Sequence, residues 1–509
     1  MKAVIGCDIG TSGTKAIVVS ETGKVLASVT VEYPLLTPHP GWAEQHPDTW
    51  LKAANEAVSA AVKMGGKAEI QAIGLSGQMH SSVFLDKNDK VLRPALLWCD
   101  TRTHEECVEI TRKAGESNLR KWVSNPALEG FTLPKILWVK KHEPKVYARI
   151  AHVLLPKDYI RYKWTGELAT DVSDAAGTLC FDVKNRRWSK ELLSKVGVPV
   201  AWFPTVNESQ DISGLLTHET ARKLGLSPKT PVVGGGADNA CGAVGNGIIQ
   251  PGDVMASLGT SGVVLAHSEK VQVDPLMRAH TFCGSVPEKW YLMGVMLSAG
   301  YALRWYRDGL GMFEKVLALK EKMDPYNLLS QEASRAPEGS EGLLFLPYLM
   351  GERTPHKDPL ARAAFVGAGA RHGRKHFARS VFEGITFGMR DSLEIFRELK
   401  IPIRRVVATG GGAVNPFWCQ LQADIYGAEI VTVNSKEGPA YGAAILAMVG
   451  MGVYGNLKQA CSALIRVTSR TQPRKASVAR YNEWYGVFKG LYPALKKPYG
   501  DIWKVLSKG

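Results

Sequence analysis

The stretch Ala3-Val4-Ile5-Gly6-Cys7-Asp8-Ile9-Gly10-Thr11-Ser12-Gly13-Thr14-Lys15 decides how the rest of the chain is read. An apolar run that closes on Asp8 and Ile9 enters a turn of Gly, Thr and Ser, and a second apolar run, Lys15–Val19, leaves it. That pattern predicts two strands joined in a hairpin. Half a chain later the turn recurs: Gly10-Thr11-Ser12-Gly13 is matched by Gly259-Thr260-Ser261-Gly262, set between Val254–Leu258 and Val263–Ala266. Four residues can coincide by chance, but four residues in the same strand–turn–strand setting predict two related domains. The join falls near Gly245–Gly252, so the expected units are 1–247 and 248–509.

Outward from the hairpins, short apolar runs alternate with helical periodicity. Ile70–Leu75, Val153–Leu155 and Val232–Val233 read as strands, and Thr49–Val62 and Thr103–Lys113 as helices. In the second half Ser298–Arg307, Phe377–Leu399, Phe417–Tyr426 and Ala440–Val449 read as helices, with strands at Val406–Ala408 and Ile430–Val433. Both halves are therefore expected to be layered α/β domains. Beyond Arg470, Tyr481, Trp484, Tyr485 and Phe488 recur at helical spacing, which predicts a packing helix.

Composition sets the outer limits. The chain has 509 residues, 45% of them hydrophobic and 22% charged, the balance of a folded globular protein. No apolar run approaches the roughly 18 residues of a membrane span, and the N-terminal apolar stretch is interrupted by Asp8, so a cytoplasmic location without a membrane role is expected. The eight cysteines are scattered without zinc-finger spacing. The net charge of +15 comes from dispersed Lys and Arg, and no nucleic-acid motif accompanies it, so nucleic acid is not an expected partner.

Glycine-rich turns occur at four predicted strand ends: Gly10–Gly13, Gly234-Gly235-Gly236, Gly259–Gly262 and Gly410-Gly411-Gly412. Such turns let backbone N–H groups converge on an anion, and four of them suggest a polyphosphate. No G-x-x-x-x-G-K-[ST] string exists, and Asn415 stands where a dinucleotide fingerprint needs its last glycine, so P-loop and simple Rossmann readings are disfavoured. Asp8 stands beside the first turn and Asp238 follows the triple glycine. An acid at a strand tip beside phosphate-binding amides suits Mg²⁺ held through water, and a second acid nearby suits proton acceptance from an attacking hydroxyl. The plainer role for Asp238 is a helix N-cap.

These residues resemble the FGGY carbohydrate kinases. Asp8–Lys15 is similar to that family's first phosphate motif, Ser257–Gly262 to its second, and Gly410–Ala413 with Asn415-Pro416 to its adenosine motif. Gly130–His142, with Lys135 and Trp138, and His376–Glu383 fit its two signatures. Within the family, Gly74–His80 (G-L-S-G-Q-M-H), Leu154–Asp158 and Thr170–Thr178 look most like the xylulokinase branch. The resemblance implies two actin-like (ribonuclease H-like) ATPase domains with a nucleotide/sugar cleft between them, the first sugar-binding and the second nucleotide-binding. It implies ATP and Mg²⁺ as cofactors, a small sugar as substrate, and a homodimer. The implied reaction is phosphorylation of a ketopentose, D-xylulose to D-xylulose 5-phosphate, with Asp238 as catalytic base. Met79, His80, Asp238 and Asn239 would bind sugar, and Asp8 would serve the metal. Thr11, Ser12, Lys15 and Thr260 fall on the phosphate side; Trp305, Gly411, Gly412 and Asn415 fall on the nucleoside side. Trp42 with Glu44, and Trp98–Arg102, are expected to shape the cleft. The competing readings are a kinase of another polyol or ketose (glycerol, ribulose, a heptulose) and an actin- or chaperone-like ATPase switch.

Overall fold

A computed structural model describes residues 1–507. Its frame is a pair of seven-stranded sheets built on one plan. In the first, Lys2–Ile9, Gly13–Ser20 and Val25–Glu32 form an antiparallel meander, and Lys2–Ile9 also pairs in parallel with Glu69–Gly77. Pro231–Val233 adds in parallel to Glu69–Gly77, and Ile212–Leu215 closes that edge antiparallel. In the second sheet Gly252–Leu258, Gly262–Ser268 and Trp290–Met296 form the meander. Ile403–Gly410 and Glu429–Val433 add in parallel, and Val467–Thr471 closes antiparallel. The seventh strand differs between them: His280–Cys283 borders the second meander, whereas in the first sheet the short Gly236–Ala237 pairs in parallel with Glu69–Gly77.

Both Gly-Thr-Ser-Gly strings sit in the first hairpin of their sheet, so the sequence repeat marks a repeated topology. The first strand of the chain is buried along almost its whole length, as expected of a central strand covered on both faces. The helices fall where periodicity placed them, at Pro47–Met64, His104–Ala114, Gly300–Gly309, Arg374–Glu398, Pro416–Tyr426 and Pro439–Gly450. The aromatic stretch at the C-terminal end forms the helix Lys475–Leu506, whose Tyr481, Tyr485 and Phe488 are buried in the second half's core.

Two helices tie the halves together. Pro439–Gly450 comes from the second half of the chain but lies on the first sheet, where Gly6 and Gly74 leave space for its backbone. A Cβ on either glycine would overlap the carbonyl oxygen of Ala440 or Ala443. Asp238–Gly245 packs Cys241 and Val244 against that helix, while Ala240 and Ala243 join a cluster with Leu265 and Tyr291 of the second sheet. Gly442 permits the two helices to touch, because a Cβ there would strike the carbonyl of Cys241. The alanine- and glycine-rich sequence of both helices is thus a consequence of backbone-to-backbone packing.

Candidate active site

Strand register brings the two acids of the sequence reading to one edge. Asp8 pairs with Ser76 on the neighbouring parallel strand, and Ser76 pairs in turn with Gly236, two residues before Asp238. At the usual interstrand spacing the two backbones stand about 10 Å apart at the carboxyl ends of the strands, the edge at which open α/β sheets bind ligands. Gly235 makes the approach feasible: its φ is +68°, and any side chain would overlap the carbonyl of Leu75.

Ser76 Oγ donates to Asp8 Oδ1 at 2.8 Å. Burial raises the Asp8 pKa, and the Ser76 hydrogen bond and the Lys15 charge oppose that rise. Asp238 opens the helix Asp238–Gly245 as its first residue, with Ala237 as the cap. Its Oδ1 accepts from the backbone N–H of Asn239 at 2.7 Å and from Asn239 Nδ2 at 3.0 Å. Burial, and then the charge of Asp8, push the Asp238 pKa up to about 7. A carboxylate held near neutrality beside a cleft is suited to taking a proton from an alcohol.

Met79, followed in the chain by His80, lies beside Asn239, the next residue after this acid. Asn239 Nδ2 points at Met79 Sδ, 3.8 Å away. His80 has φ +67° and is held from both sides: its Nδ1 donates to the carbonyl of Gly177, and its own carbonyl accepts from Thr132 Oγ1 at 2.9 Å and Lys135 Nζ at 3.0 Å. Burial, the largest influence, lowers its pKa to about 3, so the imidazole is neutral. With Nδ1 carrying the proton, Nε2 is left as an acceptor for a hydroxyl. Lys135 of the first signature also holds the carbonyl of Gly130 at 2.6 Å.

A cleft of about 690 Å³ runs from Asp238 and Asn239 to Gly410, Ala413 and Lys436. Gly410 takes φ +70° at the end of its strand, and a Cβ on Gly412 would overlap Leu258, so the turn needs both glycines. Asn415 caps the helix Pro416–Tyr426, accepting from Phe417 N at 3.0 Å and Trp418 N at 3.3 Å, and its Nδ2 donates to Ser330 at 2.7 Å. Trp305 is half-exposed on the helix Gly300–Gly309 and stacks on Phe345, with ring centres 6.2 Å apart. Thr260 is exposed at its hairpin tip, and its carbonyl accepts from Ala299 N at 3.1 Å and Tyr301 N at 3.0 Å.

In the first hairpin turn Ser12 is exposed, whereas the Thr11 hydroxyl is engaged, donating to Gln78 at 3.1 Å and accepting from Trp98 at 2.9 Å. Lys15 pairs with Glu437 of the second half at 2.8 Å, a contact between halves that the sequence did not suggest. Arg102 stacks 3.5 Å above Trp42 and pairs with Asp100 at 2.6 Å and Glu44 at 2.8 Å, which locks these residues together.

Beneath the acids lies a feature that sequence reasoning did not resolve. Lys157, wholly buried, pairs with Asp158 at 2.6 Å, Asp171 at 2.9 Å and Asp174 at 3.4 Å. Asp171 accepts from Ser173 Oγ at 2.5 Å, and Ser173 Oγ accepts from the backbone N–H of Ala237 at 3.0 Å. The ion cluster therefore anchors the residue preceding Asp238. The segments carrying it stood out in the sequence, but pairing of acids with one lysine is visible only in three dimensions.

No group of three or more His, Cys, Asp or Glu able to enclose a metal occurs among the described residues. Asp8 and Asp238, brought to one sheet edge by strand register, are carboxylates of the kind that suit a hard cation keeping most of its water.

The N-terminal domain of the FGGY family of carbohydrate kinases matches residues 3–245, and the C-terminal domain of that family matches residues 254–451. The chain belongs to the FGGY family of carbohydrate kinases. Among FGGY proteins it is 41% identical to the xylulose kinase of Bacillus subtilis (strain 168) over 498 residues, 97% of this chain and 98% of that one. A solved xylulose kinase from Lactobacillus acidophilus superposes with a TM-score of 0.92 at 27% identity, over 99% of this chain and 100% of that one. One from Brucella ovis superposes at 0.89 with 36% identity, over 97% and 99%. FGGY membership makes the chain an ATP-using sugar kinase with the two-domain actin-like fold and sets aside the ATPase-switch reading. Among the described residues no helix is long and apolar enough to cross a membrane.

Proposed function

We propose that this kinase phosphorylates D-xylulose at its terminal hydroxyl, with Asp238 as general base. The observation that carries the assignment of the base is the position of Asp238 at the mouth of the cleft, beside Asn239 and Met79, with its carboxyl pushed up to about 7. The full-length likeness to xylulose kinases supports the choice of sugar.

Met79, His80 and Asn239 hold the sugar so that its terminal hydroxyl meets Asp238. Asp238 takes that proton as the oxygen bonds to the γ-phosphorus; the bond from phosphorus to the β–γ bridging oxygen breaks, and ADP leaves with the electron pair. Ser12, Lys15 and Thr260 line the phosphate side, with the engaged Thr11 shaping it, and Gly411, Gly412, Asn415 and Trp305 belong to the nucleoside side. Mg²⁺, held through water near Asp8, would neutralise charge on the phosphates. The division into units 1–247 and 248–509, a homodimer and a cytoplasmic location belong to the same reading. ADP release measured with a panel of D-xylulose, D-ribulose, glycerol and a heptulose tests it. D-Xylulose should give the highest kcat/KM, and glycerol turning over better would reject the assignment.

A further inference from the structure

Arg353 reaches the Gly130–Lys135 segment of the first half from the second half of the chain. Its loop is fixed to the second sheet: Thr354 N donates to Val295 O at 3.0 Å, Val295 N donates to Thr354 Oγ1 at 3.1 Å, and Glu352 Oε1 accepts from Leu297 N at 3.0 Å. From that anchor the guanidinium crosses to the first half, where Nη2 lies 3.3 Å from the place a Cβ on Gly130 would occupy. The carbonyls of Gly130 and His80 share the Lys135 ammonium, so Arg353 stands one residue removed from His80.

Among the described residues this guanidinium has no hydrogen-bond or ion-pair partner, although the residue is only partly exposed. An arginine carries five donors, so those the protein does not take up are open to a ligand or to solvent. Of the acids around it, Glu129 and one oxygen of Glu352 are engaged elsewhere, and Glu352 Oε2 has no partner. Glu129 accepts from His104 at 2.8 Å, and Glu352 Oε1 accepts from two backbone amides, those of Arg353 and Leu297. The other ionisable groups facing it, Lys135, His80 and His280, are cationic or neutral.

We infer that Arg353 is a sugar-binding residue: its free donors take the carbonyl and hydroxyl oxygens at the end of the ketose remote from Asp238, so that the second half completes the sugar site. The inference rests on the sugar-kinase reading above and adds to it a residue that sequence reasoning passed over.

The test compares Arg353→Ala and Arg353→Lys with the unaltered full-length chain. Steady-state kinetics are measured with D-xylulose and ATP varied in turn, together with the rise in melting temperature caused by sugar alone and by ADP alone. Loss of a charged hydrogen-bond donor should raise the sugar KM roughly 10- to 100-fold. It should abolish the sugar-induced thermal shift and leave the ADP-induced shift and the ATP KM within about twofold. Lysine should restore part of the sugar affinity. An unchanged sugar KM in a folded Arg353→Ala variant would overturn the inference, as would sugar and ATP KM values that rise together. If the unaltered protein turned over no sugar in the panel, the kinase reading itself would fail, an outcome separate from either of these.

Discussion

Asp238→Asn separates catalysis from stability, because the structure assigns the same carboxylate opposite effects on the two. Its pKa is raised from the ordinary 3.8 to about 7, first by burial and then by the Asp8 charge. For a carboxyl whose folded value lies above its unfolded value, the folded state binds more protons between those limits, so stability falls as pH rises from about 4 to 7. At about 1.4 kcal/mol for each tenfold change in ionisation, the ionised group costs the apoprotein at most about 4 kcal/mol above pH 7. Asparagine keeps the oxygen that accepts from Asn239 N and removes the charge. The variant should therefore melt several degrees higher than the parent at pH 8, with little difference at pH 4.5, on the scale of 2–4 °C per kcal/mol. Sugar phosphorylation should fall about 10²- to 10⁴-fold, the usual worth of a general base, with the ATP KM nearly unchanged. Scanning calorimetry at the two pH values and coupled ADP release are the assays. Equal melting shifts at both pH values would refute the electrostatic reasoning, and near-normal turnover would refute the assignment of the base.

Other consequences are equally direct. The acid limb of kcat/KM for sugar should centre near pH 7 and move downward in Asp8→Asn, because removing the neighbouring negative charge eases ionisation of Asp238; a pH–rate profile reads this even if the absolute rate falls. Lys15→Met breaks a pair whose side chains are 36% and 22% exposed, so it should cost no more than about 1 kcal/mol of stability while raising the ATP KM, as thermal melts and kinetics would show. Lys157→Met leaves Asp158, Asp171 and Asp174 buried together, and a loss of about 3–5 kcal/mol should appear as poor soluble yield and a much lower melting temperature.

The sequence carried the architecture because its signal was local. A buried central strand reads as a continuous apolar run, as in Ala3–Ile9, and amphipathic helices such as Pro47–Met64 announce themselves by period. The acids were legible for the same reason, since Asp8 and Asp238 each sit beside a glycine turn that only a strand end would need. What stayed hidden was pairing across long separations. Nothing in Lys15 points to Glu437, more than four hundred residues away, and nothing in Arg353 points to Gly130. Asn415 carries a second duty its string did not show: its side chain caps a helix and reaches Ser330.

The same long-range contacts explain how two similar domains can act as one enzyme. The helix Pro439–Gly450 is bound to the first sheet by backbone contacts at Gly6 and Gly74, and the helix Asp238–Gly245 is wedged between it and the second sheet. Neither half can therefore be withdrawn without exposing the packing of the other, and a rotation of one half against the other would pivot on this pair of helices. Asp238 is the first residue of one of them. A rotation that moved the Gly410 turn or Arg353 by several ångströms would displace the base itself least, because residues near a pivot travel the shortest arc. Gly442→Ala tests that argument: a methyl group striking Cys241 O would wedge the pivot open, and both sugar and ATP KM values should rise while Asp238 keeps its acid limb near pH 7. A rise in only one of the two KM values would place the pivot elsewhere.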